Sequence, residues 1–364
     1  MVIKVSIGVL AHNEEVNIPA TLRSLLAQSI VARDDASYDV EIIVVPNGCR
    51  DRTAAVAAEL LGAAALPRGR RFQVRELTQP GKSNAWNHYV HEFARADCDY
   101  FVLMDADIQF LQPDTLQQLI DALERDPIAY VSCDCPVKDV ELKDSRTLME
   151  ALSLRISGDS SAVRPAEICG QLYCARASML RRISLPKGIT IEDGFLRALL
   201  VTELFTQQEN LRRVTRVMTA SHVFESYVRV SILLKHEANV ILGTLVNSFV
   251  YDWLWRESRP DRDAGALLHA RNRENPEWLK DHVAEHVRKR GWWVVPWPLV
   301  FRRWIRLRQK GVVKGVLHAP ITMVAFLADF AACVRVNRLL HSRAAVGSWV
   351  SKPTPGAAPP SPPG

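Results

Sequence analysis

From residue 3 to about residue 220 the sequence alternates short apolar runs with stretches of helical period, and this alternation limits the possible fold more than any other feature. "VIKVSIGVL" reads as a strand, and "VNIPATLRSLLAQ" puts Ile18, Leu22, Leu25 and Leu26 on one helical face. "VEIIVVP" (40–46) reads as a second strand, and "DRTAAVAAELLGAA" as a second helix with Asp51 at the capping position. "RFQVREL" then reads as a third strand, "KSNAWNHYVHEFAR" as a third helix and "YFVLM" as a fourth strand. Strands and helices that alternate in this way predict an α/β fold, a doubly wound and mostly parallel sheet with helices on both faces. Ligands of such sheets bind outside the C-terminal ends of the strands.

The fourth strand runs directly into Asp105 and Asp107 in "YFVLMDADIQF". Taken alone, two acids one residue apart can mark only a solvated strand end. On a rigid strand end they can also hold Mn2+ or Mg2+, since hard divalent cations take carboxylate oxygens and keep positions open for substrate phosphates. The turn after the first strand, "AHNEEVN", lacks the G-x-G-x-x-G of a dinucleotide-dependent dehydrogenase. It also lacks the Gly-rich, Arg-containing loop that a sugar-nucleotide pyrophosphorylase needs. Cys133 and Cys135 in "VSCDCPV" have no second pair nearby and read as strand residues rather than zinc ligands.

Six segments carry a family resemblance in the right order: "GVLAHNEEVNIPATLRSLLAQ", "IIVVPNGCRDRTAAVA", "GKSNAWN", "LMDADIQF", "GQLYCARA" and "IEDGFL". Over residues 3–225 the chain resembles a family 2 glycosyltransferase of the GT-A fold. The resemblance implies a nucleotide-sugar donor held with a divalent cation, and a hydroxyl acceptor. Ala11, His12, Asn13 and Glu14 would then cradle the nucleoside, with Glu14 the main side-chain contact. Asn47 stands where the family usually carries an acid for the base, and Pro46 replaces the acid before it. An Asn carbonyl can still accept from a uracil N–H, so a UDP-sugar is expected. Lys82 and Asn84 would approach the nucleotide. Asp105 would face the ribose and the cation, and Asp107 would ligate the cation directly. Gly170 and Gln171 would line the pocket for donor sugar and acceptor. His222 or His236 could complete the metal shell, though each reads more readily as an ordinary strand-end or helix histidine.

In "ITIEDGFL" the resemblance makes Asp193 the general base of an inverting transfer, with Glu192 orienting it or raising its pKa by like-charge proximity. The same acids can serve as cap and first turn of a helix over 194–203, and the two roles are compatible. The Gln-x-x-Arg-Trp of processive members is missing from the comparable place, which reads "HEANV" (236–240), so a non-processive enzyme is expected. A non-catalytic membrane-associated scaffold is the alternative, disfavoured because Asp105, Asp107, Glu192 and Asp193 are all present.

The C-terminal part is of another kind. Residues 286–364 hold 13 Lys and Arg against one acid, Asp329, so a net +6 divides into a −6 body and a +12 end. Trp292, Trp293, Trp297, Phe301 and Trp304 are interleaved with Arg302, Arg303, Arg306 and Arg308. Such a mixture suits an anionic membrane surface and equally a helical packing region with a basic outer face, while nucleic acid ranks low without any recognisable binding module. The apolar run 319–334 is interrupted by Asp329 and is shorter than the ~20 residues of a spanning helix, so it should lie in the interface with Asp329 facing water. A GT-A domain over 1–224, a helical basic and aromatic region over 225–346 and a Pro-rich, disordered tail over 347–364 are therefore expected. The seven scattered cysteines and an N-terminus without signal-peptide character suggest a cytoplasmic enzyme, peripheral on the inner face of the membrane and acting on a glycan or lipid-linked acceptor.

Overall fold

The computed structural model describes residues 2–142, 166–225, 230–308, 312–342 and 346, so the expected disordered tail lies outside the described residues. Its centre is a seven-stranded sheet in the order β3-β2-β1-β4-β8-β6-β9. These strands are β1 Ile3–Ala11, β2 Tyr38–Pro46, β3 Arg70–Val74, β4 Tyr100–Asp105, β6 Val131–Cys133, β8 Leu172–Arg176 and β9 Val214–Arg216. Short strands β5 Ile108–Phe110, β7 Val137–Lys138 and β10 His222–Phe224 form a second sheet in the order β5-β10-β7. The large sheet is mostly parallel as expected, but β8 runs antiparallel to both β4 and β6.

The strands read as continuous apolar runs because both faces of the sheet are covered. Side chains alternate between the faces. Ile7, Val9, Ile42, Val44 and Val102 pack with Leu22 and Leu25 of helix α1 (Ile18–Leu26). Ile43, Val45, Phe101 and Leu103 pack on the other face with Trp86 and Tyr89. Gly8 lets Tyr89 lie on the sheet: a Cβ there would stand 2.7 Å from the Tyr89 ring, whose hydroxyl donates to the Ser6 carbonyl.

Helices α2 (Thr53–Ala63), α3 (Lys82–His88) and α4 (Thr115–Arg125) connect the first strands, and α5 (Glu192–Val201) follows β8. Among the described residues the helices after β10 are α6 (Val230–Glu257), α7 (Ala264–Glu274), α8 (Trp278–Arg290), α9 (Arg302–Arg308) and α10 (Val312–His341), with one further short turn of helix at Trp297–Val300. Past the charged loop "RESRPDRDAG" the sequence pattern reads as one further helix to about residue 290, but Pro276 divides it into α7 and α8 with Asn275 extended before it. Phe249, Leu268, Val283 and Val336 share one core with Phe101 and Leu103, so these helices extend the core of the sheet.

One expectation for this region fails. Asp329 does not face water: it is 2% exposed, and Arg302 and Arg303 from α9 close on its carboxylate. Arg303 binds it in two places, Nε at 2.7 Å and Nη2 at 3.0 Å, while Arg302 also reaches Glu237 of α6. The interruption in the apolar run is therefore an inter-helix ion network, invisible to a local hydropathy reading.

Candidate active site

The chain builds β1, β2 and β3 outward in one direction and then returns to lay β4 on the other side of β1. A crevice opens where the order reverses, at the C-terminal ends of β1 and β4. Leu10 and Asp105 are partners in register there, so the loops after the two strands emerge side by side.

The loops after β1 and β2 are sewn together. Asn13 takes a left-handed backbone, φ 56°, and its Oδ1 accepts from the Arg50 N–H at 2.8 Å. The Glu14 N–H donates to the Thr53 hydroxyl at 2.8 Å, and a Glu14 carboxylate oxygen accepts from the Asn17 amide at 2.8 Å. The His12 ring lies 2.6 Å from the Asn47 carbonyl. Asn47 itself is fully buried: Nδ2 donates to the Ala11 carbonyl at 2.7 Å and Oδ1 accepts from the Gly81 N–H at 3.0 Å. Its amide, expected to meet a base, is spent on holding three chain segments together, and the Ala11 carbonyl is spent with it. Arg52, not the expected Asp51, takes the N-cap position of α2; Asp51 stands one residue before it, and its Oδ1 accepts from the Thr53 N–H at 3.1 Å.

Across the crevice the acids gather around one lysine. Lys82, in the first turn of α3, places Nζ 2.7 Å from Asp105 Oδ1, 2.9 Å from Glu192 Oε1 and 2.9 Å from the Gly170 carbonyl. Burial alone would lower the Lys82 pKa, but Asp105 and Glu192 overcome it and hold the ammonium well above its usual range. Asn84, two residues on and thus on another face of α3, lies half-buried near Gly81 instead. The Asp105 N–H donates to the Gln171 carbonyl at 2.9 Å, which ties β4 to the segment leading into β8. Burial raises Asp105 to about 6, with repulsion from Asp107 and Glu192 adding to it against the attraction of Lys82.

Glu192 and Asp193 open α5 as its first turn, two residues earlier than the sequence pattern suggested, with Ile191 at the N-cap position. Asp193 Oδ1 accepts from the Gly194 N–H at 2.7 Å. Its pKa is also pushed up to about 6, by burial first and by Glu192 second. Gly170 is required for close approach: a Cβ there would come within 3.2 Å of Asp193 Oδ2 and 3.3 Å of Glu192 Oε1. The five groups Lys82, Asp105, Gly170, Glu192 and Asp193 thus meet in one place, with Asp107 two residues past Asp105 at the turn before β5.

Three supporting arrangements have no local signature. Trp86 Nε1 donates to the Tyr173 hydroxyl at 2.7 Å beneath the acids. Asp134 Oδ2 lies 2.7 Å from His222 Nδ1 with both side chains fully buried, and this pairing outweighs burial to raise His222 to about 10. His222 Nε2 stands 3.5 Å from Gln171 Oε1, whereas His236 is exposed on α6. Helix α6 braces the N-terminus of α5: Asn247 Nδ2 donates to the Ile191 carbonyl at 2.9 Å and the Tyr251 hydroxyl to the Gly194 carbonyl at 3.0 Å. Gly243 in "ILGTL" was the one readable hint, a glycine inside a long helix.

Among solved structures, the mannosyltransferase PcManGT from Pyrobaculum calidifontis, in complex with GDP-Man and Mn2+, is similar at 17% identity and a TM-score of 0.52, over 96% of this chain and 88% of that one. Glucosyl-3-phosphoglycerate synthase from Mycobacterium tuberculosis, in complex with Mg2+ and UDP, aligns at 18% identity and a TM-score of 0.45, over 67% of this chain and 79% of that one. No curated protein matches the chain. The GT-A arrangement is shared with the first of these structures, and residues 6–185, which hold the crevice from β1 through Gly170, match the glycosyl transferase family 2 model. Through that span the chain belongs to glycosyl transferase family 2.

Proposed function

We propose that the protein is an inverting, non-processive transferase that moves a hexosyl or N-acetylhexosaminyl unit from a UDP-sugar to a hydroxyl acceptor. One observation carries this reading: Asp105 and Glu192 converge on Lys82 at the switch point of the sheet, with Asp193 next to Glu192 in the same first turn of α5. The cluster gathers more carboxylate than ammonium charge, and Asp105 is pushed up to about 6 by burial first, with Asp107 and Glu192 adding to it against Lys82. Those residues fit a divalent cation, Mn2+ or Mg2+, held by Asp105 and Asp107. No three His, Cys, Asp or Glu side chains among the described residues form a closed metal cage. Two carboxylates with open positions suit an ion shared with a diphosphate. Such an ion supplies charge neutralisation of the leaving diphosphate.

The chain's own groups account for the rest. Asp193 takes the proton from the acceptor hydroxyl as its oxygen bonds to the anomeric carbon, and the electron pair of the breaking C–O bond leaves with the nucleoside diphosphate. A base whose pKa lies near the working pH suits that step. Glu192 keeps Asp193 in that range and holds Lys82 beside Asp105. The backbone and side chains of Ala11, Asn13 and Glu14 line the nucleoside end. Asn47 orders that end, and base selection falls to its neighbours. Gly170 and Gln171 border the sugar and acceptor side. The neighbouring PcManGT complex with GDP-Man makes a guanine donor the arm to test beside uracil.

The acceptor is proposed to be a glycan or lipid-linked precursor, met at the cytosolic face of an anionic membrane. Thermal stabilisation by UDP and by GDP, each with and without Mn2+, tests the donor reading. Stabilisation by UDP only when Mn2+ is present supports it. Equal shifts with and without metal, or a preference for GDP, would remove the cation or the base assignment respectively.

A further inference from the structure

We propose that the C-terminal helices carry a docking ridge for an anionic bilayer, built from Trp292, Trp297, Phe301, Ile305, Leu327 and Phe330. The proposal deepens the membrane-proximal reading above and rests on it for meaning, but lipid binding can be read without any transfer reaction. Isolated apolar side chains on a surface need no explanation, whereas a contiguous apolar patch does. Trp292 is 81% exposed, Leu327 59% and Trp297 57%. Trp297, Phe301 and Ile305 recur at helical spacing on one side of the ridge. Met323, Leu327 and Phe330 recur on α10 on the other, all of them exposed.

Ring contacts join the two rows. Trp297 stacks on Trp293 at 5.4 Å and on Phe301 at 6.0 Å, Phe301 on Phe326 at 5.5 Å, and Phe330 on both Phe326 and Trp293. His341 holds the Trp292 end through its ring nitrogen, 3.1 Å from the Trp292 carbonyl. The ridge is therefore a preformed surface of stacked rings, and docking orders little that is not already ordered.

Charge selects the occupant. Residues 286–364 hold 13 Lys and Arg and a single acid, Asp329, and that acid is buried and neutralised by Arg302 and Arg303, while Glu237 and Glu285 from outside this stretch pair with Arg302 and Lys289. Nothing acidic from this part of the chain is left to repel a phosphate. Arg335 and Arg338 are exposed on α10 beyond Phe330, where a long cationic side chain can reach a headgroup while its stem lies on apolar surface. Exposed Trp and Phe beside unopposed Arg is the composition of a helix pair lying in a headgroup interface. A second copy on the same ridge would bring two such cationic faces together against their repulsion. No helix among the described residues is long and apolar enough to cross a membrane, so the ridge lies on the bilayer.

Co-sedimentation of the full chain with phosphatidylcholine vesicles, and with vesicles containing one-third phosphatidylglycerol, tests this. Binding is expected to the anionic vesicles alone, weakened but not abolished by high salt. Trp297→Ser combined with Phe301→Ser and Leu327→Ser should lower affinity by at least about tenfold. Arg335→Gln and Arg338→Gln should cost roughly fivefold each at low salt. Because these positions are exposed, the variants should retain the Mn2+-dependent UDP shift of the parent, which separates a lost ridge from a lost fold. Equal binding to both vesicles, no binding to either, or a dimer that the triple variant dissociates would each overturn the proposal.

Discussion

Replacing Asp193 with Asn is expected to change activity and stability in opposite directions. The carboxyl is held near pKa 6 by burial and by Glu192, against 3.8 for the free side chain. At pH 7.5 the folded protein must keep it ionised at a cost of about 1.4 kcal/mol per pKa unit, an upper bound of about 3 kcal/mol. Asn keeps the shape, and its carbonyl can still accept from the Gly194 N–H that Asp193 Oδ1 binds at 2.7 Å. Lys82 keeps its pairs with Asp105 and Glu192. The variant should therefore be more stable than the parent at pH 7.5 by up to that amount, while transfer falls by ~10²–10⁴-fold with the loss of the base.

The pH dependence follows from the direction of the shift. A carboxylate whose folded pKa is raised destabilises the fold fully above about 6, and the penalty fades as pH falls from there toward 3.8. The gap between variant and parent should thus be widest at pH 7.5 and reduced to about a third of that by pH 4.5. Urea denaturation at the two pH values, with turnover measured alongside, checks both halves. A variant less stable than the parent at pH 7.5 and still turning over near the parental rate would refute the buried-base reasoning.

Other outcomes follow from the same cluster. Asp107→Ala should abolish transfer and the Mn2+-dependent part of UDP binding with the fold intact, and calorimetry showing unchanged metal-dependent affinity would contradict its role. Glu192→Gln removes the repulsion that helps raise Asp193, so the acid limb of kcat/KM should move to lower pH than in the parent; a limb that stays in place would show that Glu192 does not set it.

The residues that gather at the candidate site were in good part legible in the sequence because they lie in local pattern. The apolar run of β4 ending on Asp105 needs only the continuous apolar pattern of a strand buried on both faces, and Glu192-Asp193 needs only an acidic first turn. What escaped was tertiary. Asn47 looks like a base contact by position, but Ala11 and Gly81 claim its amide from residues 36 and 34 positions away. Asp134 lies between Cys133 and Cys135 with nothing local to mark it, yet it is buried against His222, 88 positions on. Asp329 reads as a group that must find water, and instead finds two arginines on a neighbouring helix. Side chains whose partners lie far along the chain carry no periodic signal, so their roles follow only from packing.

Helix α6 illustrates what such packing does for the chemistry. A Cβ on Gly243 would stand 2.5 Å from Ile191 Cγ1 and 2.9 Å from its Cδ1, so the glycine admits Ile191, the residue before the acid pair. Asn247 and Tyr251, one and two turns later, bind the Ile191 and Gly194 carbonyls on either side of Glu192 and Asp193. The same helix carries Glu237, which meets Arg302 at the base of the aromatic ridge. Gly243→Val should therefore displace the start of α5, and a base misplaced by about 1 Å can cost on the order of 10²-fold in turnover. Donor binding, which rests on β1, β2 and β4, should change little, so kcat falls while UDP affinity holds. Ile191→Ala in the same chain makes room for the valine and should restore part of the loss, a non-additivity that a double-mutant cycle reads directly. If the two substitutions instead reduce turnover independently, α6 does not position Asp193 through Ile191.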